Sequence, residues 1–307
     1  MQAVHLLTTQ HPNVGRRAVA HFLALGLFVA ARRAAANADV PGPPDGAEVL
    51  AADFLKTGLY IVRSSRANTL MRLSSAGAVL VDGQNTGSYR PLMSQLRRIN
   101  KMSDLPVRFL VLSNHRADHA GNLAPFVGAG VDALVHERAR ARLPALETPA
   151  GKPPPTIVAF ERNYVLHIGG VEVQLHHFGK AYTDGDSVVL FPDLKIAALG
   201  DLYAAGAPPP DFAAGGSLLG WPLVLAQVLK LDADLFVSSQ GAPVTRVELK
   251  AFKARLDTLV ARAGALVRAG VPKADFLSRC KSDDLGWNLT FTADGLDSLY
   301  AELLQPV

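Results

Sequence analysis

Residues 113–122 read Ser113-Asn114-His115-Arg116-Ala117-Asp118-His119-Ala120-Gly121-Asn122, a polar loop between two apolar stretches. The residues before it, Arg108–Leu112, alternate as a strand. Those after it, Ala120–Val127, suit a helix. A loop between two rigid elements is where a scaffold presents chemistry. Three more polar clusters lie at predicted strand ends. They are Gly179-Lys180-Ala181-Tyr182-Thr183-Asp184-Gly185-Asp186, then Leu199-Gly200-Asp201, then Ser238-Ser239-Gln240-Gly241-Ala242-Pro243.

The chain around these clusters divides into two runs of strands, each closed by helices. The first run is predicted at Leu59–Val62, Thr69–Leu73, Ala78–Val81, Arg108–Leu112 and Val131–Val135. Helices are expected over residues 90–100, over Ala120–Val127 and up to Leu143. The second run is Tyr164–Ile168 and Val171–His177 across a Gly169-Gly170 turn, then Ser187–Phe191 and Lys195–Leu199 across Pro192-Asp193. A helix over Ser217–Lys230, the strand Leu235–Ser238 and a long helix Val247–Ala269 complete it. This pattern predicts an α+β fold of two packed sheets with helices outside.

The chain has 307 residues, 49% of them hydrophobic and 19% charged, so it is neither disordered nor fibrous. Its net charge of +4 lies in residues 1–38, where Arg16, Arg17, Arg32 and Arg33 meet no acidic residue. The rest is balanced, with 27 acidic residues against as many basic ones, so no basic domain exists to hold nucleic acid. The paired Arg16-Arg17, the 14-residue apolar run 18–31 and Ala36-Asn37-Ala38 read as a twin-arginine-type signal peptide with a cleavage site. That apolar run is shorter than the roughly 20 residues a bilayer span requires. The expectation is export to the periplasm, no stable membrane span after signal removal, a Pro/Gly linker over 39–46 and one domain over 47–307. The single cysteine, Cys280, excludes an intrachain disulfide framework.

In order and context the four clusters resemble those of the metallo-β-lactamase superfamily, and the likeness covers about residues 50–270. It implies a four-layer αββα sandwich. In that family the first cluster reads His-x-His-x-Asp-His, a His precedes Thr-x-Gly-Asp in the second, Asp ends the third, and the fourth reads Gly-His-Gly. These residues hold two metals, usually zinc. Carried over position by position, the first metal's histidines become Asn114, Arg116 and Tyr182. The second metal's ligands become Asp118, His119 and Gln240, with Asp201 kept as the bridge. Arginine stays protonated and cannot coordinate. The resemblance therefore implies that no two-zinc site forms.

Three readings follow. In the first, Asp118, His119 and Asp201 hold one divalent metal, Zn, Fe or Mn, with open positions for water. Arg116 then replaces the lost metal's charge and Tyr182 donates to the oxyanion or leaving group, in an ester, lactone or phosphoester hydrolase. In the second, the protein is a metal-free pseudo-enzyme, and Arg116 pairs with Asp118 or Asp201. It then binds a small anionic ligand or a partner. In the third, His115, or His176 or His177, replaces a lost ligand. Asp184 and Asp186 are expected to hold loop amides, His136 and His167 to lie at the surface or a strand edge, and Lys180 to be solvated. The apolar stretch Ala213–Leu229, with Trp221, either shapes the cleft or forms a homo-oligomer surface.

Overall fold

The structure, a computed structural model, describes residues 50–64, 66–99, 105–146, 156–204 and 209–305. The expected signal peptide and linker lie outside these residues. Of the two units into which the chain divides, the one described is Ala47–Val307.

Thirteen strands form two sheets among the described residues. The first sheet holds β1 (Ala51–Lys56), β2 (Leu59–Arg63), β3 (Asn68–Ser74), β4 (Gly77–Val81), β5 (Val107–Val111), β6 (Asp132–His136) and β7 (Ile157–Phe160), in that spatial order. Strands β1 to β4 pair antiparallel and β4 to β7 parallel. The parallel crossovers carry helices α1 (Tyr89–Ile99), α2 (Ala117–Ala120), α3 (Leu123–Gly128) and α4 (Glu137–Arg142). The second sheet holds β8 (Asn163–Ile168), β9 (Val171–His176), β10 (Val188–Phe191), β11 (Ile196–Gly200), β12 (Leu235–Ser238) and β13 (Val244–Thr245), in the order β13-β12-β11-β10-β9-β8. Four helices accompany it: α5 (Gly220–Val228), α6 (Arg246–Arg268), α7 (Lys273–Arg279) and α8 (Ala293–Leu303).

Alternation along the strands builds the layers. In β4, Val79 and Val81 face the other sheet, while Ala78 and Leu80 face the helices. In β10, Val189 and Phe191 point inward, Val188 and Leu190 outward. Both faces are buried, so these strands read as continuous apolar runs. Phe126, Leu92 and Leu96 cover the first sheet. Trp221, Phe252, Phe276 and Leu299 cover the second. Each such side chain contributes about 1.5–3 kcal/mol by leaving water. The result is the expected αββα sandwich.

Several local expectations are corrected. The helix expected over Ala120–Val127 is two short helices broken at Gly121-Asn122. Asn122 Nδ2 donates there to Gly83 O, Asn85 O and Ser88 Oγ. A Cβ on Gly121 would meet Thr86 N at 2.2 Å. Strands β1, β7 and β13 and helices α7 and α8 had no counterpart in the sequence reading. His136 is 1% exposed rather than superficial, because its ring stacks on His177 at 3.7 Å and packs edge-on against Phe160. No helix of the described residues is long and apolar enough to cross a membrane.

Candidate metal centre

The four polar clusters converge at one edge of both sheets, because β4, β5, β11 and β12 all end there. Val81 pairs with Val111, so Asp82 lies beside Ser113. Ser113 N donates to Asp82 Oδ1 at 2.7 Å and Ser113 Oγ to Asp82 Oδ2 at 2.8 Å. Asp82 itself adopts φ +65°, an unusual backbone state outside glycine. The two sheets are tied at this edge by Ser187 N to Ser113 O (2.7 Å) and Asn68 N to Ser239 O (2.6 Å). Gly200, at φ +53°, turns the chain into Asp201, and a Cβ there would lie 2.5 Å from Ser113 Oγ.

His119 is completely buried. Its Nδ1 donates to Asp82 Oδ2 at 2.9 Å and lies 2.8 Å from Ser113 Oγ. Its Nε2 faces Asp201 Oδ2 at 3.1 Å and Asp118 Oδ1 at 3.8 Å. Burial alone would push this imidazole down, but the carboxylates of Asp201 and Asp82 outweigh it and hold it well above its ordinary value. Asp201 shows the reverse balance. Burial would raise it, yet His119, the Ser239 hydroxyl and Arg116 hold it well below the usual carboxylate range. Asp201 Oδ1 accepts from Ser239 Oγ at 2.6 Å and Oδ2 accepts from Asn114 Nδ2 at 3.0 Å.

Arg116 spans the mouth of the cluster. Its Nη1 donates to Asp211 Oδ2 at 3.0 Å. Its Nε lies 3.6 Å from both Asp118 Oδ1 and Asp201 Oδ2. That Nε is buried and has no hydrogen-bond partner among the described residues. The guanidinium carbon sits 5.4 Å from the Tyr182 ring centre, within cation–π range. Burial pushes the Tyr182 hydroxyl up to about 12, against the lowering effect of Arg116. Its ring meets Trp221 edge-on at 5.6 Å.

Asp118, His119 and Asp201 thus form the single cluster of metal-ligating type found among the described residues, their ligand atoms all within 4.8 Å of one another. The donor set fits a divalent cation. One imidazole nitrogen, whose proton a cation would displace, converges with two carboxylates, and the far nitrogen of His119 is held by a carboxylate, as metal-binding histidines require. The orphaned Arg116 Nε adds a donor for an oxygen beside that cation.

Asn114 reaches the cluster through a hydrogen bond and Arg116 through charge pairing, and Tyr182 flanks Arg116. Gln240 is exposed. From the fourth cluster it is Ser239 that contacts Asp201. His115 is half-buried, with Nδ1 lacking a partner and its pKa lowered by burial and by Arg142. His176 pairs with Asn163 Oδ1, and His177 Nδ1 donates to the Asp186 carbonyl. None of the three histidines belongs to the cluster. Asp186 accepts from Thr183 N and Oγ1, as a turn-holding residue does. Asp184 instead pairs with both terminal nitrogens of Arg142. Asp82 and Asp211 were missed in the sequence. The pair Asp82-Gly83 is a turn signal at the end of β4, but nothing in the sequence marks its pairing to His119.

The layers run in αββα order, with a carboxylate–histidine cluster where strands of both sheets end. The sequence profile described as the metallo-beta-lactamase superfamily matches residues 65–239. The chain belongs to this superfamily. A metallo-beta-lactamase from Pontibacter korlensis is similar in structure, with TM-score 0.57 and 21% identity over 68% of this chain and 99% of that one. The IND-7 metallo-beta-lactamase gives TM-score 0.57 and 20% identity, over 70% and 100% of the two chains. DIM-1 gives 0.57 and 17%, over 68% and 97%. These likenesses concern the fold. Among curated proteins, none matches the chain.

Proposed function

We propose that this protein is an exported hydrolase that works with one divalent metal held by Asp118, His119 and Asp201. The observation that carries the reading is the convergence of these three ligand atoms within 4.8 Å, with Asp82 backing His119 at 2.9 Å. Electrostatics favour it too. Four carboxylates, Asp82, Asp118, Asp201 and Asp211, face one guanidinium and one imidazole, which leaves the centre short of positive charge.

A divalent metal here supplies Lewis acidity and a water that ionises near neutral pH. The chain's own residues do the rest. His119 keeps a proton on Nδ1, toward Asp82, which leaves Nε2 for the ligand role. Arg116 Nε–H donates to the substrate oxygen on which negative charge develops. Tyr182, with its hydroxyl pushed up to about 12, stays protonated at neutral pH and donates to the leaving group. The substrate class is an ester, lactone or phosphoester. The Arg16-Arg17 pair and the apolar run behind it support a periplasmic location.

A second reading, the metal-free binding or accessory protein, has one observation in its favour. Arg116 already places an internal cation among Asp118, Asp201 and Asp211. Metal content by mass spectrometry decides between the two, using untagged protein beside Asp118→Ala and Asp201→Ala. About one equivalent, lost in both variants, is expected for three shared ligands. No metal after loading with zinc, iron or manganese would overturn the hydrolase reading in favour of the second.

A further inference from the structure

We infer that Asp211 is a positioning residue that decides which cation neutralises Asp118 and Asp201, the metal or Arg116. The inference rests on the single-metal reading above. Three carboxylates surround the Arg116 guanidinium, and they are not equivalent. Asp211 Oδ2 takes a hydrogen bond from Nη1 at 3.0 Å. Asp118 and Asp201 stand at 3.6 Å from Nε, near enough for charge attraction and too far for a hydrogen bond. The strongest contact therefore draws the fork away from the two carboxylates that a metal needs.

Asp211 is itself held. Its backbone N donates to Tyr182 O at 2.8 Å, and Gly216 N donates to its carbonyl at 2.9 Å. Its Oδ1 accepts from Ala214 N at 3.1 Å, capping the short 3-10 turn Phe212–Ala214. Asp184 N donates to Ala214 O at 3.0 Å. The loop bearing Tyr182 and the turn bearing Asp211 are thus joined at two points, and together they cradle the guanidinium from its face and its end. Phe212 also meets Phe291, which ties the turn to the C-terminal segment. Without the Asp211 charge, Arg116 has only Asp118 and Asp201 to pair with, and it competes there with the metal.

The test is a double-mutant cycle read as zinc affinity, by competition with a chelator, on the full chain. The variants are Asp211→Asn, Arg116→Gln and the double substitution. Asp211→Asn is expected to weaken zinc binding about tenfold when Arg116 is present and less than about twofold when it is replaced. Loss of a nearby negative charge also weakens cation binding, but equally in both backgrounds. An equal loss in both, or no loss in either, overturns the inference and leaves the single-metal reading standing. Absence of zinc binding in the wild type overturns both. Should circular dichroism show Arg116→Gln unfolded, Arg116→Lys takes its place. Lysine lacks the planar fork that spans these carboxylates, so the Asp211→Asn effect should shrink there as well, and an undiminished effect overturns the inference.

Discussion

At the scale of single residues, buried imidazoles meet opposite fates according to what faces them. His119 lies between two carboxylates and is stabilised as a cation. His136 is equally buried but faces another imidazole, His177, and burial and that neighbour lower its pKa to about 4. Its Nε2 donates to the Glu161 carbonyl at 2.9 Å, while Nδ1 accepts from Arg138 N at the start of α4. Protonating Nδ1 would break that cap. Between pH 6.5 and about 4 the unfolded chain holds a proton at this residue that the folded chain refuses. Its contribution is therefore full above pH 6.5 and falls as pH drops toward 4, by about 2 kcal/mol. Urea unfolding at pH 7 and at pH 4.5 should show the wild type losing that much more than His136→Gln. Equal losses would count against a neutral buried His136. The cluster residues Asp118, His119 and Asp201 were legible because their spacing survives in the sequence. Asp82 and Asp211 were not, since each acts through a contact more than 35 positions away.

At the scale of elements, ends matter more than lengths. Helix α6 starts at a capping box, where Thr245 accepts from Glu248 N and the Glu248 carboxylate returns to Thr245 N. Helix α5 has no side-chain cap bond from Leu219, and Ser217 Oγ accepts from Gly220 N at 2.7 Å. Its entry is held by Glu302, from α8, which accepts from Leu218 N at 3.0 Å, from Leu219 N at 3.3 Å and from Ser217 Oγ. A carboxylate at this end also offsets the helix dipole. Glu302→Gln should cost about 1–2 kcal/mol in urea unfolding, because it weakens charge-assisted bonds. A loss below about 0.3 kcal/mol would mean the clasp carries no load. The strands with two buried faces, β4, β10 and β11, were legible as apolar runs. Strand β1 was hidden because it is an edge with a largely exposed pattern, and α8 because only Leu299, Tyr300 and Leu303 are buried along it.

For the whole molecule, the single-metal reading carries a stability consequence. A cation that binds only the folded state stabilises it by mass action, about 2.7 kcal/mol at a hundredfold excess over Kd. For a domain of this size that corresponds to a rise in Tm of about 5–10 °C. Thermal melts with zinc and after chelation should differ by this amount, and Asp201→Ala should abolish the difference. Identical melts would speak for the metal-free reading. The αββα layering itself was legible from strand order and cluster order. The depth of the second helical layer was not, because α7 and α8 close on each other through Phe276 and Tyr300, and Trp287 between them closes on Phe252 of α6.

The Glu302 clasp also sets an order of assembly. Ribosomes deliver Asp118, His119 and Asp201 well before Glu302, so the three cluster residues exist for a time beside a helix whose entry is unfastened. A nascent chain of this protein can bring Asp118, His119 and Asp201 together but cannot finish the wall beside Tyr182 until Glu302 has emerged. Completion of that wall is thereby coupled to the arrival of Glu302.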